Sequence, residues 1–123
     1  MPLSDLKADQ TELVVLSVLA EGPSYGYGIG KRVAALSEGD WKIGPGQLYP
    51  LLSKLEKAKL VKTSWEEVKR DGADPDAAGR RRKWYQLTAK GRQRLAQRVD
   101  AHRRAAAVLD RFLSIAGAEG ATP

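Results

Sequence analysis

The chain has 123 residues and a formal net charge of +6, with no cysteine and a single histidine. This length fits one domain with a modest core, and the residue content leaves no disulfide, no thiolate zinc site and no Ser-His-Asp triad. We therefore expect no catalytic residue, no metal and no cofactor. Neither an N-terminal signal pattern nor an apolar run of about 18 residues occurs, so we expect a cytoplasmic chain with no membrane contact.

Two helices and a loop are predicted first. Asp9 is the expected N-cap of the first helix, with Glu12 as its capping-box partner, and the apolar run over residues 13–19 indicates that this helix is largely buried. Ser24 is the expected N-cap of the second helix, and a loop over 37–44 follows it. The loop contains Trp41, and the apolar face of the second helix comprises Tyr25, Ile29, Val33 and Leu36.

A third helix over residues 47–59 carries the most informative pattern. Pro50 has no N–H, so we expect it in the first turn, with the helix beginning near Gly46–Gln47. One face is an apolar stripe at i, i+3, i+4 and i+7, and the opposite face carries hydrogen-bond donors and no acid, which is typical of a DNA-reading helix. The stripe comprises Leu48, Leu51, Leu52 and Leu55, and the opposite face Gln47, Ser53, Lys54 and Lys57.

Two strand-like runs over residues 60–68 and 82–88 follow, and the insert over 69–81 is predicted to be a mobile hairpin tip. Trp65 and Trp84 lie one on each strand, where we expect them to pair across the hairpin. Three helices followed by a β-hairpin is the winged helix-turn-helix order. The predicted fold class is therefore mainly α with a small β-hairpin, and residues 1–88 form the DNA-binding domain.

Positive charge is concentrated after the insert. Residues 80–104 contain ten basic residues and one acid, Asp100, so this segment is +9 and the rest of the chain sums to −3. A local positive field attracts a polyanion, and the cluster over 80–83 leads into a strand rather than into a basic amphipathic membrane helix. The distribution indicates nucleic acid as the partner.

A long C-terminal helix is predicted over 88–116, with Thr88 as its N-cap. It carries an unbroken heptad seam with a second apolar stripe beside it, and its length of about 42 Å exceeds what one small domain can cover. We therefore predict a dimerisation helix over 89–116, a symmetric homodimer and a disordered tail over 117–123. The predicted dimer-interface residues are Leu95, Val99, His102, Ala106, Leu109, Phe112 and Leu113.

Four segments in this order resemble the PadR-like family of bacterial transcriptional repressors: GPSYGYGI (22–29), GQLYPLL (46–52), the leucine-anchored stretch over 55–61, and RKWYQLTAKG (82–91). The single C-terminal helix is similar to the compact subgroup of that family. The chain departs from the family pattern at Gly28, where an acid is usual, at Gln47, where threonine is usual, and at Lys59, where glycine usually ends the third helix.

The resemblance implies a homodimeric winged-helix repressor that binds a palindromic operator in double-stranded DNA. It also implies release from DNA when a small hydrophobic effector enters the dimer interface. Gln47 is the best candidate for reading a base edge, and the lysines and the basic hairpin stem are expected on phosphates. The predicted DNA-binding residues are Ser24, Tyr25, Lys31, Gln47, Tyr49, Ser53, Lys54, Lys57, Arg80, Arg81, Arg82 and Lys83.

Two alternatives remain open. A winged-helix module for protein–protein contact would lack a basic hairpin stem and a steep dependence on salt. A MarR-like regulator would place dimer-forming helices on both sides of the winged domain, and residues 1–8 are too short to supply one. An enzyme is disfavoured by the lack of cysteine and the scarcity of histidine and clustered carboxylates.

Overall fold

The computed structural model describes residues 8–67 and 81–121. Within them, four helices and a three-stranded antiparallel sheet of order β1-β3-β2 form the domain. This arrangement confirms the predicted fold class, and the short strand β1 is an addition to it. The elements are α1 (Ala8–Ala20), β1 (Ser24–Tyr25), α2 (Gly26–Leu36), α3 (Pro45–Lys57), β2 (Val61–Glu67), β3 (Arg81–Leu87) and α4 (Ala89–Ala121).

The hydrophobic core lies between the first three helices and one face of the sheet. Leu16 from α1, Ile29 from α2 and Leu52 from α3 have no exposed surface, and Tyr85 and Leu87 of β3 close the sheet side. The predicted stripe of α3 is confirmed, because Leu48, Leu52 and Leu55 are buried and Leu51 packs against the same core. The stripe fixes which face of α3 remains in solvent.

Three of the predicted helix starts differ from the structure. Ser24 pairs with Tyr85 in the sheet, so Tyr25 is the N-cap of α2 and no side chain caps it. Asp9 lies inside the first turn of α1, and Glu12 binds arginines of α4 instead of capping. Pro50 lies in the second turn of α3, which begins at Pro45. The bond that Pro50 cannot donate would have reached Gly46, an exposed residue whose carbonyl water can satisfy.

The register of the hairpin places the two strand tryptophans on opposite faces. Trp65 lies opposite Lys83 and Trp84 lies opposite Ser64. Because successive side chains of a strand alternate between faces, this offset of one position separates the two rings, and the predicted Trp65–Trp84 pair is wrong. The Trp84 ring contacts Tyr25 of β1 edge-on, with 5.3 Å between the ring centroids.

The end of α3 and the start of α4 share one set of hydrogen bonds. Lys59 has φ +62°, and the N–H of Leu60 donates to the Leu55 carbonyl at 2.9 Å, the pattern of a Schellman cap. The Thr88 hydroxyl donates to the Lys59 carbonyl at 2.7 Å and accepts from the Gly91 N–H at 2.9 Å, which confirms Thr88 as the N-cap of α4. A Cβ at Gly91 would overlap the Leu60 carbonyl oxygen.

Helix α4 has 33 residues and is about 50 Å long. Its first half packs on α1, where the Arg98 guanidinium donates to the Glu12 carboxylate at 3.3 Å and to the Asp9 carbonyl at 2.8 Å. From residue 100 to residue 117 every side chain is exposed. The helix ends at Ala121 rather than at Ala116, so residues 117–121 are helical and the predicted disordered tail is wrong there.

Candidate nucleic-acid interface

The solvent face of α3 is polar and carries no acid. Ser53, Lys54 and Lys57 are all exposed on it, as predicted from their spacing. Neither lysine forms an ion pair among the residues that the structure describes. Both ammonium groups are therefore available to a partner that carries negative charge.

Gln47 turns toward α1. Its side-chain amide donates to the hydroxyl of Thr11 at 3.1 Å, and Thr11 is only 2% exposed. In this conformation the donor that would bond a base edge holds the start of α3 against the first helix. A base-reading role therefore requires the Gln47–Thr11 bond to open, or the Gln47 carbonyl oxygen to act alone.

The start of α2 meets α3 through Tyr49. The Tyr49 ring lies where a side chain on Gly26 would be, so a residue with a Cβ at position 26 would collide with the phenol. Tyr49 remains about half exposed, and its neighbour Tyr27 is 66% exposed with the Lys31 ammonium 5.5 Å from its ring centre. Tyr27, Lys31 and Tyr49 thus form one exposed corner beside α3.

One face of the hairpin packs against the C-terminal half of α3. Glu56 of α3 accepts hydrogen bonds from the Thr63 hydroxyl at 2.8 Å and from the Lys83 ammonium at 3.4 Å. The Thr63 hydrogen bond and the positive charge of Lys83 lower the pKa of the Glu56 carboxyl below its ordinary value. Further out on the same face, Trp65 is 54% exposed and the Arg81 guanidinium stacks on its ring at 4.9 Å.

The opposite face of the hairpin holds the other stem arginine. The Arg82 guanidinium lies 4.2 Å from the centre of the Tyr25 ring, and the Trp84 indole N–H donates to Glu66 on the same side. The predicted basic stem is therefore divided, with Arg81 and Lys83 on the face next to α3 and Arg82 away from it. Ser24 is half-buried, and its hydroxyl bonds the Tyr25 carbonyl. Arg80 and the predicted hairpin tip lie outside the described residues.

Several of the clustered cations bind acids of the same chain. Arg98 and Arg94 contact Glu12, and Arg104 pairs with Asp100 one turn away on α4. Arg94 and Arg98 position α4 on α1, and Arg104 balances the charge of Asp100, so the +9 of the segment overstates what a nucleic acid would meet. Beside α3, Lys54, Lys57 and Arg81 form no ion pair among the described residues, whereas Lys83 pairs with Glu56.

Two further observations concern metal ligands and membrane helices in the described residues. Within 8–67 and 81–121, no group of three His, Asp or Glu side chains is arranged to hold a metal ion. None of the helices in that part of the chain is long and apolar enough to cross a membrane.

Sequence comparison decides the family. The model of the transcriptional regulator PadR-like family matches residues 15–97. The chain belongs to the PadR-like family. A similar solved structure agrees with this assignment: a transcriptional regulator from Clostridium thermocellum is 25% identical with a TM-score of 0.71, covering 85% of this chain and 93% of that one.

Two further similar proteins are also transcriptional regulators. A PadR family transcription regulator from Clostridium difficile is 29% identical with a TM-score of 0.68, over 83% of this chain and 96% of that one. The transcriptional regulator YqjI of Escherichia coli is 33% identical over 58 residues, which are 47% of this chain and 28% of YqjI. This PadR-like protein is a DNA-binding transcriptional regulator.

Two surface residues that sequence reasoning did not select lie at this site. The sequence predicts that Trp65 packs within the hairpin, and it gives no separate signal for Tyr27. Both are large aromatic side chains left exposed beside a cation. The exposure of Trp65 beside a cation follows from its position opposite Lys83, and that position can be known only from the strand register.

Proposed function

We propose that this PadR-like protein is a homodimeric repressor that binds a palindromic operator with α3 in the major groove. The proposal rests mainly on the acid-free exposed face of α3 beside the Arg81–Lys83 face of the hairpin. A short helix of donors next to a cationic ribbon matches the geometry in which a helix reads base edges while its flanks hold phosphates. Each protomer would then contact one half-site, and the half-sites would lie about 10 base pairs apart.

Dimerisation through α4 is proposed from its uncovered apolar surface. Phe112, Leu109, Leu113, Val108 and Ile115 are each about half exposed or more, and isolated helices of this kind need a partner. An apolar hollow of about 360 Å³ between α1, α2 and α4 lies on the same chain and includes Trp41 and His102. A second copy can cover both surfaces. Leu95 is an exception among the predicted interface residues, because it packs on the core of its own chain.

The assembly is tested by one charge placed on α4. Leu109→Lys should yield monomers or insoluble protein, since a lysine in the proposed seam would be desolvated without a partner. Gln97→Lys adds the same charge to the same helix at an exposed polar position and should leave the dimer intact. Light scattering at micromolar concentration is the measurement, and a well-folded monomer of the unmodified chain would remove the dimer from the proposal.

The DNA contacts are tested by separating the two faces of the hairpin. With DNA flanking the protein's own gene as the target, Lys54→Gln, Lys57→Gln and Arg81→Gln should weaken binding to all sequences. Each should make the slope of log affinity against log salt shallower by about 0.9 per protomer. Arg82→Gln should change the slope little, because the arginine lies on the Tyr25 side. Equal slope changes for Arg81 and Arg82 would refute this orientation of the hairpin.

The role of Gln47 is tested with its partner. If Gln47 reads a base, Gln47→Ala should cost roughly 1–3 kcal/mol on the operator and little on random DNA. Thr11→Val removes the same hydrogen bond without touching the amide and should then leave operator affinity unchanged. Equal losses from both variants on operator and random DNA would mean that Gln47 only holds α3 in place.

Repression and its relief complete the proposal. A reporter placed behind the flanking DNA should be silenced by the unmodified chain and released by Leu109→Lys. A small hydrophobic effector is proposed for the dimer interface, where the aliphatic side chains of α4 favour weak, broad binding. Calorimetric titration of flat aromatic compounds that gives no heat and no release of DNA would count against an effector at that interface.

A further inference from the structure

A separate groove of about 410 Å³ runs between α2 and the start of α3. Its floor and walls are apolar, with Ile43 and Leu48 at the base and Tyr27 and Tyr49 at one end. On the α2 side, residues 26, 30 and 34 have no side chain larger than alanine, and the distance from residue 26 to residue 34 is about 12 Å along the helix. The groove, called the trough below, therefore extends along about two turns of α2.

Two cations border this trough and no acid does. Lys31 and Lys42 are both among its lining residues, and both are exposed. Among residues 8–67 and 81–121 neither lysine has an ion-pair partner. An apolar trough with two unpaired ammonium groups at its edge complements a molecule that has an apolar body and a negatively charged end.

The geometry points to a binding site for a medium-chain acyl carboxylate in this groove, with the chain along α2 and the carboxylate held by Lys31 and Lys42. A linear chain fits a trough about two helical turns long whose α2 side carries only glycine and alanine at positions 26, 30 and 34. A phosphate alone would leave the apolar lining in water and gain only the lysine charges. A carboxylate with an acyl body covers the lining as well.

Occupancy would oppose DNA binding. Lys31 and Tyr49 are predicted DNA-binding residues and also line the groove, so the same surface cannot serve both partners at once. An acyl carboxylate would neutralise cations that phosphates need. This consequence depends on the DNA-binding geometry proposed above, whereas binding of the carboxylate itself does not.

The first test uses octanoate on the full chain without DNA, followed by amide chemical shifts in NMR. We expect saturable shifts at Gly26, Gly30 and Ala34, and much weaker binding of 1-octanol, which has the same chain without the charge. Lys31→Gln and Lys42→Gln should each weaken octanoate about two- to fivefold, the range of an exposed charge contact. Lys62→Gln, an exposed lysine of β2 outside the groove, should leave octanoate affinity unchanged.

A second pair of variants fills the trough without removing charge. Ala34→Met should reduce octanoate affinity at least tenfold, and Gly30→Leu should do the same, since a Cβ at Gly30 meets only the Ile43 carbonyl at 3.7 Å. If a filled variant fails to fold, Lys42→Gln in the exposed loop still decides the question. Equal binding of octanoate and octanol, shifts confined to other regions, or unchanged affinity in the filled variants would overturn the site. Tighter binding of 2-naphthoate would overturn the linear chain as the occupant.

A third measurement concerns the DNA. Octanoate should release DNA from the unmodified chain and fail to release it from Ala34→Met. Release from both would place its action outside the groove. Saturation of the groove with DNA still bound would refute the competition and leave the carboxylate site in place, while absence of DNA binding at any octanoate concentration would refute the proposed function instead.

Discussion

Gly91→Ala should lower the free energy of unfolding by about 2–4 kcal/mol. An added Cβ would overlap the Leu60 carbonyl oxygen and lie 3.0 Å from its carbon and 3.1 Å from Leu87 Cδ2. The oxygen is backbone, and reaching an ordinary separation of about 3.3 Å requires a displacement on the order of 1 Å between α4 and the end of α3. Such a displacement strains the bonds that Thr88 makes to the Lys59 and Leu60 carbonyls, at 2.7 and 3.0 Å.

The magnitude follows from opposing terms. Loss of two hydrogen bonds costs about 1 kcal/mol each, and crowding of a packed site costs about 1–3 kcal/mol. Replacing glycine by alanine inside a helix returns about 1 kcal/mol. The sum remains destabilising because the clash involves backbone on both sides, which cannot rotate away as a side chain would.

Urea unfolding at one fixed protein concentration measures this difference, because the stability of the proposed dimer would depend on concentration. Gly117→Ala is the matched control: it makes the same substitution in the same helix, where an added Cβ meets nothing within 4 Å. The control should raise stability by about 0.5–1 kcal/mol. If Gly91→Ala were as stable as the control, the close approach at Leu60 would not constrain the junction, and the reasoning would fail.

Three further predictions concern stability. Lys59→Gly should raise the free energy of unfolding by about 0.5–1 kcal/mol, because Lys59 has φ +62°, a conformation that strains a residue with a side chain. The control Lys57→Gly, within α3, should lower it by about 1 kcal/mol. A loss of stability in Lys59→Gly would contradict the presence of this strain. Glu12→Ala should lower the free energy of unfolding by about 1–3 kcal/mol, because it leaves the Arg98 guanidinium without its carboxylate. Arg94→Ala should cost less than about 0.5 kcal/mol, because the Arg94 guanidinium is half exposed and lies 3.7 Å from the Glu12 carboxylate. Equal effects of the two variants would refute this ranking. The pKa of Glu56 is lowered from 4.5 in the folded chain, so the contribution of its carboxylate to the free energy of unfolding is complete above about pH 4.5 and is lost as the pH falls further. Glu56→Gln should therefore make the free energy of unfolding fall less steeply with decreasing pH in this range. An unchanged pH dependence would exclude Glu56 as its source.

Elements set by local pattern could be predicted, and those set by distant partners could not. The leucine stripe of α3 and the Thr88 cap follow from spacing and from a single residue type. Strand β1 has two residues and no periodicity, so its pairing with Tyr85 is invisible in the sequence. Trp65 and Trp84 lie on opposite faces only in this register, and a shift of the pairing by one residue would place both rings on the same face.

The predicted site shows the same division. The exposed lysines of α3 were found from helical spacing alone. The bond from Gln47 reaches 36 residues back to Thr11, and no local signal encodes it. Likewise, Arg81 and Arg82 can be assigned to opposite faces only once both are known to lie in a strand. Which arginines are bound to Glu12 can be told only from the packing of α4 on α1.

The bonded junction between α3 and α4 has a consequence for engineering. The Lys59 and Leu60 carbonyls bond Thr88, and the Lys90 ammonium donates to the Ala58 carbonyl at 3.1 Å, so the first turn of α4 is fixed in orientation to the helix before the hairpin. The exposed portion beyond residue 100 could be exchanged for a helix of another assembly, spliced in the same helical phase. The winged domain would then keep the same orientation relative to the new helix, so its placement in the new assembly could be calculated from the number of helical residues before the splice.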